Sequence, residues 1–372
     1  MVQNTSSAEA ELIVAGLFAG IGGLELGFER SGAKTRLLCE IDPDARRVLR
    51  KRFPDIPIVD DIRSIKRLPN RVNVVTAGFP CQDLSMAGGK SGIHGSASSI
   101  VQHLFDLLSK SEVEWVVIEN VYFMLQLDHG RGIRVLADRL EGLGYRWAYR
   151  VIDTISFLPQ RRRRVFMIGS LSHDPRSVVF DEANHSSEDK REFPSNVPLG
   201  FYWTEGRSGV GLTADAVPPL KAGSTIGIPS PPAILLPEGI VGTPSLADCE
   251  RLQGFPAGWT LPALPQGKGH DQRWRLVGNA VSVPVARWIG KRIKRATRRP
   301  PVEAAGTPIK RGRAWPVGGY NVDGIRSGVQ IGTIDALLAQ LCVRHGLTML
   351  TTDNDFMLAA RHCDLSVWSA ES

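Results

Sequence analysis

Residues 72–85 read V-N-V-V-T-A-G-F-P-C-Q-D-L-S, and the fold turns on how this run ends. Val72, Val74, Val75 and Ala77 suit a buried strand, which Gly78, Phe79 and Pro80 stop abruptly. The next residue is Cys81. If the strand is parallel, that thiol sits on the carboxyl edge of the sheet, where α/β folds place their chemistry. Taken alone, a cysteine at a strand end reads as packing.

The preceding segments put more polar groups at the same edge. Residues 12–18 form an apolar strand that runs into Ala19-Gly20-Ile21-Gly22-Gly23 and then the amphipathic start L-E-L-G-F-E. Strand, glycine turn and helix make a nucleotide-type binding turn, in which missing side chains let a ligand approach the backbone. The spacing falls short of a full G-x-G-x-x-G. A second strand, residues 35–39, ends in Glu40, 20 residues after Gly20, where an acid reaches the ribose hydroxyls of a bound cofactor. A third, residues 56–59, ends in Asp60-Asp61, and Asp61 also suits a helix cap.

Beyond Cys81, residues 86–99 are rich in glycine and serine, the composition of a mobile loop. A helix over 100–108 leads to a strand over 114–118 that ends in Glu119-Asn120-Val121. A helix over 133–143 and strands over 146–152 and 165–168 follow, with four arginines, Arg161 to Arg164, beside the last. This alternation predicts a doubly wound α/β sheet. From Leu171 the texture becomes irregular and rich in proline, glycine and serine. Phe201-Tyr202-Trp203 and Ile234-Leu235-Leu236 offer that part a modest core. Helical pattern returns over 246–256. A turn at Gly278-Asn279 then opens another helix, with Pro284 in its first turn.

Composition bounds the function. The chain has 372 residues, 42% hydrophobic and 22% charged, as in an ordinary globular protein. No window approaches the ~18 apolar residues of a membrane span, and the N-terminus lacks the character of a signal peptide, so a cytoplasmic protein is expected. Residues 1–10 read as disordered. The five cysteines form no C-x-x-C pair, which argues against a disulfide framework or structural zinc. A net charge of +7, with six cations within residues 291–300, favours a polyanionic partner.

Seven runs stand in one order: L-F-A-G-I-G-G (17–23), C-E-I-D-P (39–43), G-F-P-C-Q-D-L-S (78–85), E-N-V (119–121), P-Q-R-R-R-R-V-F (159–166), R-L-Q-G-F-P (251–256) and G-N-A-V (278–281). In these the chain resembles the cytosine-5 DNA methyltransferases that use S-adenosylmethionine, over about three-quarters of its length. The resemblance implies a Rossmann-like methyltransferase domain over 1–170 and 246–296, with a small irregular target-recognition domain over 171–245. It implies that Cys81 is the nucleophile, Glu119 acts at the base's N3, Arg164 holds its O2 and Arg162 stabilises the site. For the cofactor it implies Phe18 on the adenine, the turn of Gly20, Gly22 and Gly23 at the methionine part, Glu40 on the ribose and Asp61 on the adenine amine. Pro80, Asn279 and Val281 complete that pocket. The implied partner is double-stranded DNA with the target base flipped out, met by a monomer near the nucleoid, and the implied setting is a restriction-modification system. Two positions depart from the pattern: Ala97 stands where many relatives carry an arginine, and Ile41 where an aromatic is frequent.

Three other readings compete. An RNA cytosine-5 methyltransferase of the same fold tends to carry P-P-C-Q, against Phe79 here. A non-catalytic DNA-binding relative leaves Cys81, Glu119 and Arg164 without a purpose. A NAD-type oxidoreductase does not account for these groups together. Past a basic linker over 297–330, residues 331–372 resemble the second half of PIN-domain ribonuclease toxins, with Asp335, Asp353 and Asp355 matching the acids in type and spacing. No first half is visible, so the expectation there is a fused remnant and no resident metal.

Overall fold

The computed structural model describes residues 11–79, 98–180, 196–202, 211–221, 231–263, 270–297, 307–308, 315–322, 324, 326–329, 348–350 and 366–368. Residues 1–10, Pro80, Cys81, the loop through Ala97, Trp203 and the three aspartates of the tail lie outside the described residues.

Strands β1 (Ile13–Leu17), β2 (Lys34–Cys39), β3 (Ile58–Val59), β4 (Val74–Ala77) and β5 (Trp115–Val121) pair in parallel. Helices α1 (Gly23–Glu29), α2 (Pro43–Arg52) and α3 (Ser98–Ser109) lie between them in the chain. After α4 (Arg131–Gly142), β6 (Arg146–Asp153) and β7 (Arg163–Ser170) form an antiparallel pair, and β7 also pairs antiparallel with β5. The sheet is therefore mixed, with every parallel strand ending at the edge where β7 begins.

Period-two alternation decides what each face buries. Ala15, Val75, Val116, Ile118 and Met167 point to the side covered by α3 and α4. Val14, Val74, Val117, Phe166 and Ile168 point to the other side. That side is covered by α1, α5 (Arg176–Val179) and α8 (Val283–Ala296). A side chain on Gly27 would overlap Ala286 and the backbone of α8, so this glycine lets α1 and α8 approach closely. Ser282 precedes α8 and Pro284 lies in its first turn, as expected.

Where the sequence looked irregular, β8 (Leu199–Phe201), β9 (Thr213–Ala214), β10 (Ala233–Leu235) and β11 (Val241–Gly242) form a small antiparallel sheet in the order β11-β10-β8-β9. Its strands have two or three residues each, too short for an alternation to show. Helix α6 (Leu246–Leu252) begins with a capping box between Ser245 and Asp248. The turn at Gly278-Asn279 is the end of a further helix, α7 (His270–Asn279), whose pattern Arg273, Arg275 and Gly278 obscure.

The span over 297–330 expected as a basic linker holds strands among the described residues. There, β12 (Thr307–Pro308), β13 (Gly318–Asn321) and β14 (Ser327–Val329) extend the main sheet past β6, giving ten strands in the order β12-β14-β13-β6-β7-β5-β4-β1-β2-β3. Trp315 packs beside Trp147 and Tyr149, with ring centroids 5.9 Å from each, and its backbone N–H donates to the Leu125 carbonyl. Glu141 on α4 accepts from Trp147, Asn321 and Arg326, which clamps this extension to the domain. In the tail, β15 (Thr348–Leu350) and β16 (Ser366–Trp368) pair in parallel. No helix among the described residues is long and apolar enough to cross a membrane.

One buried acid supports the edge from below. Glu25 of α1 is fully buried against β1 and β4: Thr76 Oγ1 donates to its Oε1 at 2.8 Å, and a side chain on Gly16 would overlap it. Burial pushes the Glu25 carboxyl up to about 7, while the Thr76 hydrogen bond opposes the shift. The folded protein thus holds this proton more tightly than the unfolded chain, so stability falls as pH rises from about 4.5 towards about 7 and stays lower above it. Glu25→Gln cannot ionise and should lose that slope. Relative to the parent it should gain up to about 3 kcal/mol between mildly acidic and mildly alkaline pH. Denaturant titrations at the two pH values check this, and an unchanged difference would refute it.

Candidate active site

The glycine turn after β1 takes backbone conformations that its sequence allows. Gly20 and Gly22 have φ of 56° and 84°, and Phe18, a bulky residue, sits at 58°. The left-handed region costs a side chain of this size about 1–3 kcal/mol, a strain that accumulates at functional sites. Among the described residues, no atom beyond its chain neighbours lies within 4 Å of where a Gly20 side chain would start. A Cβ on Gly23 would come within 2.5 Å of the Val281 carbonyl oxygen, which locks the chain between α7 and α8 against α1.

Glu40 organises the turn from the end of β2. Its Oε2 accepts from the Gly20 N–H at 2.6 Å and its Oε1 from the Asp42 N–H at 2.8 Å. Each oxygen has a second lone pair, so the carboxyl can still accept from ligand hydroxyls. Burial pushes its pKa up, against those backbone hydrogen bonds. Asp61, past β3, accepts from the Arg63 N–H at 2.9 Å and pairs with the Arg63 guanidinium, which holds its carboxyl below the usual range. The cap expected of an acid here is therefore present, at the same edge. Ile41 is 63% exposed beside it. The Phe18 ring meets Phe79 edge-on at 5.7 Å, which joins the turn to the end of β4.

A second cluster forms where β4, β5 and β7 meet. Glu119 is buried at the end of β5, and Arg164 Nε lies 3.2 Å from its Oε1. Register explains the pairing: Arg164 faces Val121 across the ladder, and Arg162, Arg164 and Glu119 share one face. Burial pushes the Glu119 carboxyl up, while Arg164 and Arg162 pull it down; the net shift is upward. Arg162 is buried, and its two terminal nitrogens donate to the Gly278 and Ala280 carbonyls at 3.0 and 2.9 Å. Burial lowers its pKa to about 9. The arginine string thereby ties β7 to the turn that holds Val281.

Glu119 also borders the run that leads to Cys81. A Cβ on Gly78 would lie 3.3 Å from Glu119 Oε2 and 3.9 Å from Val281 Cγ2. Asn120, which the sequence reading did not single out, donates from Nδ2 to the Phe79 carbonyl at 3.0 Å and accepts the Val121 N–H. It fixes the chain two residues before the cysteine. The signal for Asn120 was its place between Glu119 and Val121, but its partner is 41 residues away in sequence. Pro80 and Cys81 themselves lie outside the described residues. Of the other residues expected at the cofactor, Val281 is half-buried and Asn279 is exposed.

The two cysteines described, Cys39 and Cys249, are buried, and burial pushes both thiols up to about 12. Neither has the character of a nucleophile. Among the described residues no group of three or more histidines, cysteines and acids could hold a metal ion.

Comparison with known proteins gives this geometry its context. The sequence profile of the C-5 cytosine-specific DNA methylases matches residues 13–205 and 245–295. The chain belongs to that family. It is 51% identical over 292 residues to the type II methyltransferase M2.BsuMI of Bacillus subtilis (strain 168), covering 75% of each chain. It is 30% identical over 299 residues to the type II methyltransferase M.HaeII of Haemophilus aegyptius, covering 73% of this chain and 90% of that one. Among solved structures, the Entamoeba histolytica methyltransferase EhMeth superposes with a TM-score of 0.54 at 17% identity, covering 78% of this chain and 99% of that one. The S. pombe Dnmt2 methyltransferase gives 0.53 at 16%, over 77% and 98%. These two likenesses establish the fold alone. The family match ends at residue 295, and the PIN-domain resemblance of the tail finds no support.

The enzyme is thus a DNA cytosine-5 methyltransferase, and its cofactor is S-adenosylmethionine. The residues present fit that molecule. Among the described residues the turn at Gly20 leaves room for it, and Glu40 is a buried acceptor at the turn's rim.

Proposed function

We infer that the enzyme methylates carbon 5 of a cytosine flipped out of a specific duplex DNA site, as the modification enzyme of a type II restriction-modification system. The observation that carries this reading is the buried Glu119–Arg164 pair at the end of β5, bordering the strand end that leads to Cys81. The names of its relatives supply the restriction-modification setting.

In this mechanism the Cys81 thiolate adds to carbon 6 of the cytosine, which makes carbon 5 an enamine-like nucleophile. S-adenosylmethionine, when bound, supplies the electrophilic methyl group. Negative charge that develops on the ring is relieved at N3 by Glu119, whose burial favours the proton-bearing form this requires. Arg164, beside Glu119, holds the base's O2. Arg162 anchors the pocket through the Gly278 and Ala280 carbonyls, and the positive charge of both arginines favours the thiolate. Water then takes the carbon-5 proton, and the carbon 5–carbon 6 double bond re-forms as the carbon 6–sulfur bond breaks to release the Cys81 thiolate. N3 returns its proton to Glu119, leaving 5-methylcytosine. Phe18, the turn of Gly20, Gly22 and Gly23, Glu40, Asp61, Pro80, Asn279 and Val281 form the cofactor pocket. The small sheet carries target recognition in the major groove. The enzyme works as a monomer in the cytoplasm, and it shares a DNA site with its cognate endonuclease rather than a quaternary structure.

Bisulfite sequencing of duplex DNA incubated with the protein and S-adenosylmethionine tests this directly. The expected result is protection of one cytosine within a recurring short sequence. Methyl transfer to transfer RNA but not to duplex DNA would overturn it.

A further inference from the structure

The four consecutive arginines do not act as one patch, because strand alternation divides them. Arg162 and Arg164 turn to the face that carries Glu119. Asp153 and Arg163 are ladder partners at the end of β6 and the start of β7, and they share the opposite face with Val165 and Met167. There the Asp153 carboxylate gathers the string. Its Oδ1 accepts the Arg162 N–H at 2.8 Å, and its Oδ2 lies 3.1 Å from Arg161 Nε and 3.7 Å from Arg163 Nε. The Arg163 guanidinium lies over the Tyr122 ring, 6.0 Å from its centroid, and the side chain remains 47% exposed.

Asp153 and Tyr122 thus help to aim Arg163 at the edge where β5 ends and β7 begins, one residue from the arginine that touches Glu119. Asp153 and Tyr122 restrict its side chain without burying its charge. A flipped nucleotide enters a pocket through its backbone, so the phosphates on either side of it must rest at the rim. A pre-aimed guanidinium forms the forked hydrogen bonds that a phosphodiester accepts.

We propose that Arg163, aimed by Asp153 and Tyr122, binds a DNA backbone phosphate adjoining the flipped cytosine, a contact that positions the duplex without reading its sequence. This rests on the duplex-DNA reading above. Binding of the full-length protein to a duplex that contains its methylation site, measured over a range of salt concentrations, tests it. Arg163→Ala should weaken binding about tenfold at low salt and make the slope of log K against log salt shallower by about one. In steady-state methylation the loss should fall on KM for DNA. Arg139→Ala removes the same charge from the last turn of α4, at the opposite edge of the sheet, and should leave the slope unchanged. Asp153→Asn should reproduce part of the Arg163→Ala effect by releasing the guanidinium, with S-adenosylmethionine binding and thermal unfolding of Arg163→Ala close to the parent.

If the parent protein binds and methylates duplex DNA but Arg163→Ala keeps both affinity and slope, the phosphate contact is refuted and the function stands. Equal slope changes in Arg139→Ala and Arg163→Ala would also refute it. A parent protein that neither binds nor methylates duplex DNA overturns the functional reading and this contact together.

Discussion

Cys81→Ser should abolish methyl transfer while leaving S-adenosylmethionine binding intact. The reaction needs a soft nucleophile that is anionic near neutral pH. A thiol becomes one when neighbouring positive charge lowers its pKa, whereas a serine hydroxyl needs a general base to take its proton. The arginines beside Glu119 supply charge, but none of them is a base. Turnover should therefore fall by at least about 10³–10⁴-fold, the scale on which an activated nucleophile matters. The glycine turn after β1 is held by Glu40, Phe79 and Val281, none of which the substitution changes. Labelled methyl transfer and calorimetric titration with S-adenosylmethionine read the two effects separately. Turnover above about a hundredth of the parent's would sink the nucleophile assignment.

Glu119→Gln should lower turnover by about 10²–10⁴-fold, the usual contribution of a positioned proton donor. Glutamine keeps the size and one oxygen for Arg164, so the fold should survive, but its amide has no acidic proton to give to N3. The pH profile makes the test specific. Burial raises the Glu119 carboxyl, Arg164 and Arg162 oppose the rise, and the proton-bearing form is lost as pH climbs through the raised value. In the parent enzyme, turnover should decline on that alkaline side. In Glu119→Gln the residual activity should lack that decline. A variant within tenfold of the parent, with the alkaline decline retained, would remove Glu119 from the chemistry.

Much of this site could be read before any coordinates, for local reasons. The runs ending at Leu17, Cys39, Ala77 and Ile118 are short, largely apolar and followed within three residues by glycine or an acid, so their composition marks the strands and the approach to their ends. Glu119 and Arg164 were legible by resemblance because they sit in runs that keep a fixed order. The small sheet was not legible, since two- and three-residue strands carry no period. Nor were β13 and β14: G-G-Y-N and S-G-V have weak strand composition, and only their pairing onto β6 makes them strands.

The amino-acid sequence by itself determined the α/β class, the glycine turn and the residues at the strand ends, because each depends on neighbours within a few positions. Tertiary structure decided which of those residues meet. Val121 comes opposite Arg164 only because β7 returns antiparallel beside β5. Asn120 reaches the Phe79 carbonyl only because β4 and β5 run side by side. Alternation along β7 sends Arg162 and Arg164 to Glu119 and leaves Arg163 to Asp153 and Tyr122. The strand of residues 74–77 ends four residues before a cysteine in the sequence, and the register of three strands brings an acid and an amide to that strand end, with two arginines beside the acid.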